Sequence, residues 1–322
     1  MALGIEDIGE MPYFDGLLGL AFPALAKDRG AGGTFLQELE KKGLFRNLAF
    51  SMALRGEGSS AGSFVAFGDV DALKSEAEKL GGSSGVTLPV FGLNYQAAYW
   101  LIQLQISIKL EGSPAHGPSG LLLKEDIFGV LDSGTSLLAV PKELFVQLMS
   151  ALFREETHDK CSFMLPGAEG QFICLCDEAK INPMTFSFHG LQGKVLDVTL
   201  TQDDLMVLAG KTAGGKALCR VGIMPSPSPL PFIILGDVFL RKVYAIHDFQ
   251  HYQVTLVPES GTSALVSAAA PPELPEAPDY SISSFALTGS LAMAFAAVAA
   301  LGAFLQRSVR SQELGEEVYV PF

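Results

Sequence analysis

Apolar residues in this chain come mostly in short strings cut by glycine and proline, the pattern of many short strands joined by turns. Ile127 to Leu131 and Leu137 to Val140 are two such strings, and after Tyr99-Trp100 the alternation of Ile and Gln has the two-residue period of a strand. Helical spacing is confined to a few stretches. Thr34 to Lys42 sets Phe35, Leu36 and Leu39 on one side and stops at Gly43, which predicts a short amphipathic helix with a glycine C-terminus. Pro141 to Glu155 places Leu144, Phe145, Leu148, Met149 and Leu152 at helical intervals, with the proline tolerated in the first turn. Both stripes read as core packing. Phe285 to Leu305 is different in kind: 21 residues without a charge, enough to span a bilayer core.

Composition sharpens this picture. The 34 glycines and 18 prolines in 322 residues suit a mainly β protein, and that length supports one large core or two modest ones. A net charge of −13 excludes nucleic acid and anionic membrane surfaces as partners. His116, His158, His189, His247 and His251 are unclustered and read as surface or packing residues, so neither a metal site nor a cofactor is expected. Four cysteines stand at 161, 174, 176 and 219. They are free thiols if the chain is cytosolic and bridges if it is exported. Zinc binding is disfavoured because Cys174-Leu-Cys176 has no second pair at zinc spacing.

The candidate chemistry lies between the two apolar strings, at Asp132-Ser133-Gly134-Thr135-Ser136. A strand that delivers a carboxylate into a glycine-containing turn and then re-enters apolar sequence holds the acid at a fixed, partly buried point, where it can serve as general acid or base. The plain alternative is a tight turn, since Asp, Ser and Gly are common turn residues.

The surroundings of this loop resemble the pepsin-like aspartic proteases. Asp132 to Thr135 is similar to the second catalytic loop of that family, and Asp15 to Pro23 is similar to its FDGILGLAYP block. Gly62 to Asp69 resembles GSVVLFGGID, Tyr99-Trp100 resembles the opening of the second lobe, and Ile234 to Asp248 resembles ILGDVFIRxYYTVFD. These blocks follow family order from about Asp15 to Val257. The resemblance implies an aspartic endopeptidase that activates a water between two carboxylates sharing one proton, acting on polypeptide substrates without a cofactor. In it Asp132 is one carboxylate of the dyad, Ser133 joins the two loops through its hydroxyl, and Gly134 admits the substrate backbone. Thr135 hydrogen-bonds the Asp132 carboxylate, and Ser136 completes the loop. The family's lone second-lobe disulfide maps onto Cys176 and Cys219, which leaves Cys161 and Cys174 as a local second bridge.

The resemblance also marks departures. Only one Asp-Thr/Ser-Gly loop is present, and Met1 to Phe14 contains no counterpart of the flap tyrosine segment. The expected organisation is a bilobal pepsin-like fold lacking the first half of its N-terminal lobe. Residues 1–95 form the back half of that lobe, with open strand edges, and 96–258 form a catalytic β lobe able to close a core by itself. A Pro/Ala/Ser-rich linker follows at 259–281, then a transmembrane helix at 282–306 and a cytoplasmic tail at 307–322. Arg307 and Arg310 after the span, with Glu273, Glu276 and Asp279 before it, place the lobes on the lumenal or extracellular side. A buried core helix is the competing reading of the apolar run. Because Met1 to Phe14 carries Glu6, Asp7 and Glu10 and no signal-length apolar stretch, the chain is read as N-terminally incomplete, the missing part holding the signal, prosegment and first catalytic loop. The expected location is the secretory or endolysosomal pathway or the cell surface. With one aspartate the chain alone is expected to be inactive. A membrane-anchored pseudoprotease or peptide-binding protein is the alternative, and a homodimer sharing Asp132 is disfavoured by the bulk of the extra half lobe.

Overall fold

The structure, a computed structural model, describes residues 5–6, 16–26, 33–44, 48–56, 62–81, 85–92, 96–110, 120–164, 170–226 and 231–268. Its strands are β1 (Ile5–Glu6), β2 (Leu17–Leu18), β3 (Ala49–Ala53), β4 (Phe64–Phe67), β5 (Val86–Pro89), β6 (Leu101–Lys109), β7 (Gly120–Leu131), β8 (Leu138–Val140), β9 (Cys161–Met164) and β10 (Gln171–Leu175). They continue with β11 (Met184–His189), β12 (Lys194–Leu200), β13 (Met206–Lys211), β14 (Ala217–Val221), β15 (Ile223–Pro225), β16 (Ile233–Leu235), β17 (Val243–Asp248), β18 (Gln253–Pro258) and β19 (Ala264–Ala268). The helices are α1 (Phe35–Lys41), α2 (Val70–Gly81), α3 (Lys142–Leu152) and two single turns, α4 (Gln202–Leu205) and α5 (Asp237–Leu240). The protein is mainly β, as its pattern predicts.

Local chemistry accounts for the helix ends. Thr34 caps α1 in a capping box with Gln37, and Gly43, at φ 66°, closes the helix in the left-handed region. In α3 the proline is the N-cap residue, and Phe145, Leu148, Met149 and Leu152 are buried. The periodicity underrates α2. Its apolar side holds only Val70, Leu73 and Ala77, yet these pack with Ala49, Ala53, Tyr244, Ile246 and Val257 of the neighbouring sheet.

Most of the second segment lies in an eight-stranded sheet of order β15-β8-β16-β7-β6-β11-β12-β19. In β6 the alternation is realised as Ile102, Leu104, Ile106 and Ile108, all nearly sealed from solvent, with Gln103, Gln105 and Ser107 half-exposed. Burying each of those four apolar side chains contributes about 1.5–3 kcal/mol, which anchors the middle of the sheet. The last strand, β19, pairs antiparallel with β12, so the sheet extends to Ala268 into sequence whose composition reads as linker. Among the described residues no helix is long and apolar enough to cross a membrane. The 282–306 span and the 307–322 tail lie outside the described residues, as do all but the start of the 259–281 linker.

A second, five-stranded sheet of order β4-β3-β17-β18-β5 crosses the boundary expected near residue 95. Here β3 pairs antiparallel with β17, from Tyr244 opposite Ala53 to Asp248 opposite Ala49, and β5 pairs with β18. The first segment therefore spends its backbone donors and acceptors on the last strands of the second. One continuous core follows from this pairing: Phe22, Leu36, Phe50, Val86 and Leu88 share it with Trp100, Ile102, Leu235 and Phe249. Trp100 sits in its middle, its ring 4.4 Å from Phe22 and 4.6 Å from Phe249, its indole N–H donating to the Leu20 carbonyl at 2.9 Å. Sequence blocks far apart in the chain meet at this one indole.

The four cysteines form two bridges in the smaller β13-β14-β10-β9 sheet. Cys161 bonds Cys174 across the β9/β10 pair, and Cys176 bonds Cys219. These are the two pairings expected. With sequence separations of 13 and 43, the loop-entropy relation gives about 3 and about 4 kcal/mol. Replacing Cys176 and Cys219 together by Ala is expected to lower unfolding free energy by about 3–4 kcal/mol in a denaturant titration. A loss under about 1 kcal/mol would show that the bridge restrains little.

The shared sheet generates a second prediction. A chain starting at Gln96 leaves one edge each of β17 and β18 unpaired and strips Phe50 and Leu88 from the core. It is expected to lose its cooperative unfolding transition, and adding the separate 1–95 fragment is expected to restore it. A 96–322 chain that unfolds cooperatively at an unchanged midpoint would show that the sheet does not join the segments energetically.

Candidate active site

The loop at Asp132 is held by strand order. Strand β16 lies between β7 and β8, parallel to β7 and antiparallel to β8. The chain leaving β7 must therefore pass over the end of β16 to reach β8, and Asp132 to Leu137 is that crossing. Three backbone hydrogen bonds fasten it: Asp132 N–H to the Leu235 carbonyl at 3.2 Å, Asp237 N–H to the Thr135 carbonyl at 2.9 Å, and Val238 N–H to the Ser136 carbonyl at 3.3 Å. Gly236 is required where the two segments touch. A Cβ there would lie 2.2 Å from the Thr135 carbonyl oxygen and 2.3 Å from that of Leu137, and both are backbone atoms without room to yield.

Within the loop, the Asp132 carboxylate is half-buried and accepts from two loop donors. Gly134 N–H donates to Oδ1 at 2.9 Å and the Thr135 hydroxyl donates to Oδ2 at 2.6 Å. This is an Asx-type turn closed by a hydroxyl, and it fixes the plane of the carboxylate. A carboxylate offers about four acceptor positions, so two donors leave it able to engage a water or a substrate group.

The expected support residues divide accordingly. Thr135 stands where the resemblance puts it. Gly134 contributes its N–H as well as its small size, since an added Cβ would press Oδ1 at 3.1 Å. Ser133 is exposed at the loop tip and its hydroxyl makes no hydrogen bond among the described residues. Ser136 is exposed too and acts through its carbonyl.

Two site residues carry no role in the sequence reading. Tyr99 packs against Phe232, and its phenol is pushed above its ordinary value by burial and then by the negative charge of Asp132. It therefore keeps its proton, within electrostatic reach of the candidate carboxylate. Asp237, first residue of α5, has its carboxyl raised by burial, with Arg241 opposing and Asp132 adding to the rise, and its Oδ1 is buried without a hydrogen-bond partner. The sequence signal for Asp237 is the apolar string Ile233–Leu235 running straight into Gly-Asp, a strand end like the one before Asp132. No three His, Cys, Asp or Glu side chains among the described residues are grouped to hold a metal ion.

The contact at Gly236 makes a direct prediction. Gly236→Ala is expected to destabilise the protein by about 3 kcal/mol, since backbone cannot shift as side chains do. Loss of protection at the Asp237 and Val238 amides should accompany it in hydrogen exchange. A variant as stable as the parent, with those amides still protected, would mean that the crossing is looser than its geometry.

Comparison with known proteins agrees with this arrangement. The family model described as eukaryotic aspartyl protease matches residues 6–259. Gastricsin of Mus musculus is 30% identical over 250 residues, covering 76% of this chain and 54% of its own length. Gastricsin of Homo sapiens is 30% identical over 247 residues, with 75% and 53% covered. Cathepsin E of Oryctolagus cuniculus is 30% identical over 250 residues, with 76% and 54% covered. The chain spans about half the length of the curated relatives it matches. The match takes in the crossing loop, the strand inserted beneath it and the sheet that joins the two segments, and the chain belongs to the eukaryotic aspartyl protease family.

Proposed function

We propose that this chain supplies the second-lobe half of a pepsin-like aspartic endopeptidase centre, with Asp132 as one of two carboxylates that activate a water against a peptide carbonyl. The observation that carries the reading is the state of that side chain: both oxygens are fixed by loop donors, yet the carboxylate remains partly open to solvent. A carboxylate held in one plane with spare acceptor capacity is ready to orient and deprotonate a water. A second carboxylate is needed because the pair shares one proton: two ionised groups a few Å apart repel strongly in a site of low dielectric. It comes from an Asp-Thr/Ser-Gly loop outside these 322 residues, since the sequence holds that string only at Asp132. Tyr99, within electrostatic reach of Asp132, keeps its proton and adds no negative charge to the site.

The substrate class is an extended polypeptide, with apolar side chains near the cut as the family resemblance implies. The two disulfides favour an oxidising compartment. Together with the uncharged run at 285–305, they support a single-pass protein of the secretory or endolysosomal pathway or cell surface, its catalytic part lumenal or extracellular and its C-terminus cytoplasmic.

Two measurements test this reading. The 322-residue chain alone is expected to leave denatured protein substrates uncut from acid to neutral pH. A longer form that contains an upstream Asp-Thr/Ser-Gly loop is expected to cleave them, and Asp132→Ala is expected to reduce kcat/KM by about 10⁴-fold or more. Cleavage by the short chain that vanishes in Asp132→Ala would point to a homodimer. A longer form that binds peptides without cutting them would establish the pseudoprotease.

A further inference from the structure

His247 lies on β17, in the middle of the five-stranded sheet, and is 4% exposed. In the block ILGDVFIRxYYTVFD this is the position of the phenylalanine, so an aromatic core position carries an ionisable ring here. The ring lies flat on Phe50 of β3, with centroids 4.2 Å apart and planes within 5°, and meets Trp100 edge-on at 4.8 Å. It therefore touches the first segment through Phe50 and the start of the second through Trp100. Its Nδ1 is buried without a hydrogen-bond partner.

No charged side chain faces this ring. On β17 the neighbouring ionisable groups, Tyr244 and Asp248, point by strand alternation to the other side of the sheet. There the Tyr244 hydroxyl is paired with Ser51, and the Asp248 carboxylate is taken by the His251 ring and by the N–H groups of Gln250 and His251. Strands β3 and β18 carry no ionisable residue, and neither does the stretch 16–26 that contains Phe22. Tyr99, next to Trp100, couples to Asp132. The charged residues of α2 lie across the sheet with Tyr244, on which Glu76 acts.

We propose that His247 is a proton-triggered latch on the sheet that joins the two segments: neutral, it packs between Phe50 and Trp100, and when protonated it is driven out, loosening the pairing of β3 and β18 with β17. The chemistry is one of desolvation. A charged imidazolium between two hydrophobic rings has no counter-ion, and its only polar help comes from the carbonyls of Phe50 and Ala245. Burial holds the ring at about 3 against an ordinary 6.5, with those two carbonyls pulling weakly the other way. Below about pH 6.5 the open form binds a proton that the closed form does not, so closure weakens as pH falls through that value and goes on weakening toward pH 3.

Hydrogen exchange on the oxidised full chain, corrected for intrinsic exchange, tests the latch from about pH 7 to about pH 4. The open fraction of the β3, β17 and β18 amides is expected to rise by up to about tenfold per pH unit below about 6.5, and His247→Phe is expected to remove most of that slope. Equal slopes in parent and variant overturn the proposal. If His247→Phe does not fold, the ring protons of the parent decide by NMR. A ring that keeps its neutral shifts in the closed state down to about pH 4.5 while sheet protection falls supports the latch, and a ring that titrates near 6.5 in a fully protected sheet overturns it. None of these readouts is cleavage, so failure here leaves the assignment of Asp132 untouched.

Discussion

Strand β16 runs between β7 and β8, and the rest of the site depends on that placement. Had β8 paired directly with β7, a two-residue hairpin could have joined them, and the carboxylate at its tip would have been free to turn. With a strand inserted, the connection has to arch over it, and the arch acquires a floor. That floor is Leu235 to Val238, fastened by hydrogen bonds on both sides of a glycine whose Cβ has no space. Thr135 and Gly134 then fix the Asp132 carboxylate within the arch. Orientation of the candidate catalytic group is thus inherited from sheet topology, and the loop's own residues supply the last step.

The same economy governs how the two segments meet. Backbone groups of 49–53 and 86–89 are satisfied by 243–248 and 253–258, strands that follow α5 almost directly. Anything that disturbs the floor of the arch is therefore only a few residues from the sheet that holds the first segment. Trp100 closes the circuit from the other side, since it immediately precedes β6, packs on Phe22, and passes its carbonyl to the Leu131 N–H one residue before Asp132.

Much of this was legible in the chain. The placement of Asp132 in a turn after a strand was readable because its carboxylate stands between two apolar strings, and Thr135 was readable through the family resemblance, which puts its hydroxyl on that carboxylate. What stayed hidden depends on contacts distant in sequence. Pairing of Ala49–Ala53 with Val243–Asp248 spans almost two hundred positions, and no local period encodes it. The open edges expected for 1–95 come from the family resemblance, in which the partner strands of that half lobe lie upstream, and not from any local pattern. Helix α2 was invisible for a related reason: three apolar residues suffice for it only because a sheet waits beneath them. Asp237 and Tyr99 lacked a visible role because each matters through its distance to Asp132, which only the fold sets.

The two proton-dependent elements make opposite demands on pH. In the proposed centre a carboxylate pair would need one proton retained, which favours acid, whereas a core with His247 packed between Phe50 and Trp100 needs that ring neutral, which favours pH above the ordinary imidazole range. A phenylalanine at that position would remove the second demand. With histidine, the proposed acid sensitivity resides in the joining sheet and not in the loop that carries Asp132. Because β17 carries His247 and follows α5, whose first residue is Asp237, the floor beneath the Asp132 loop and the buried ring belong to one short stretch of chain between Gly236 and Asp248.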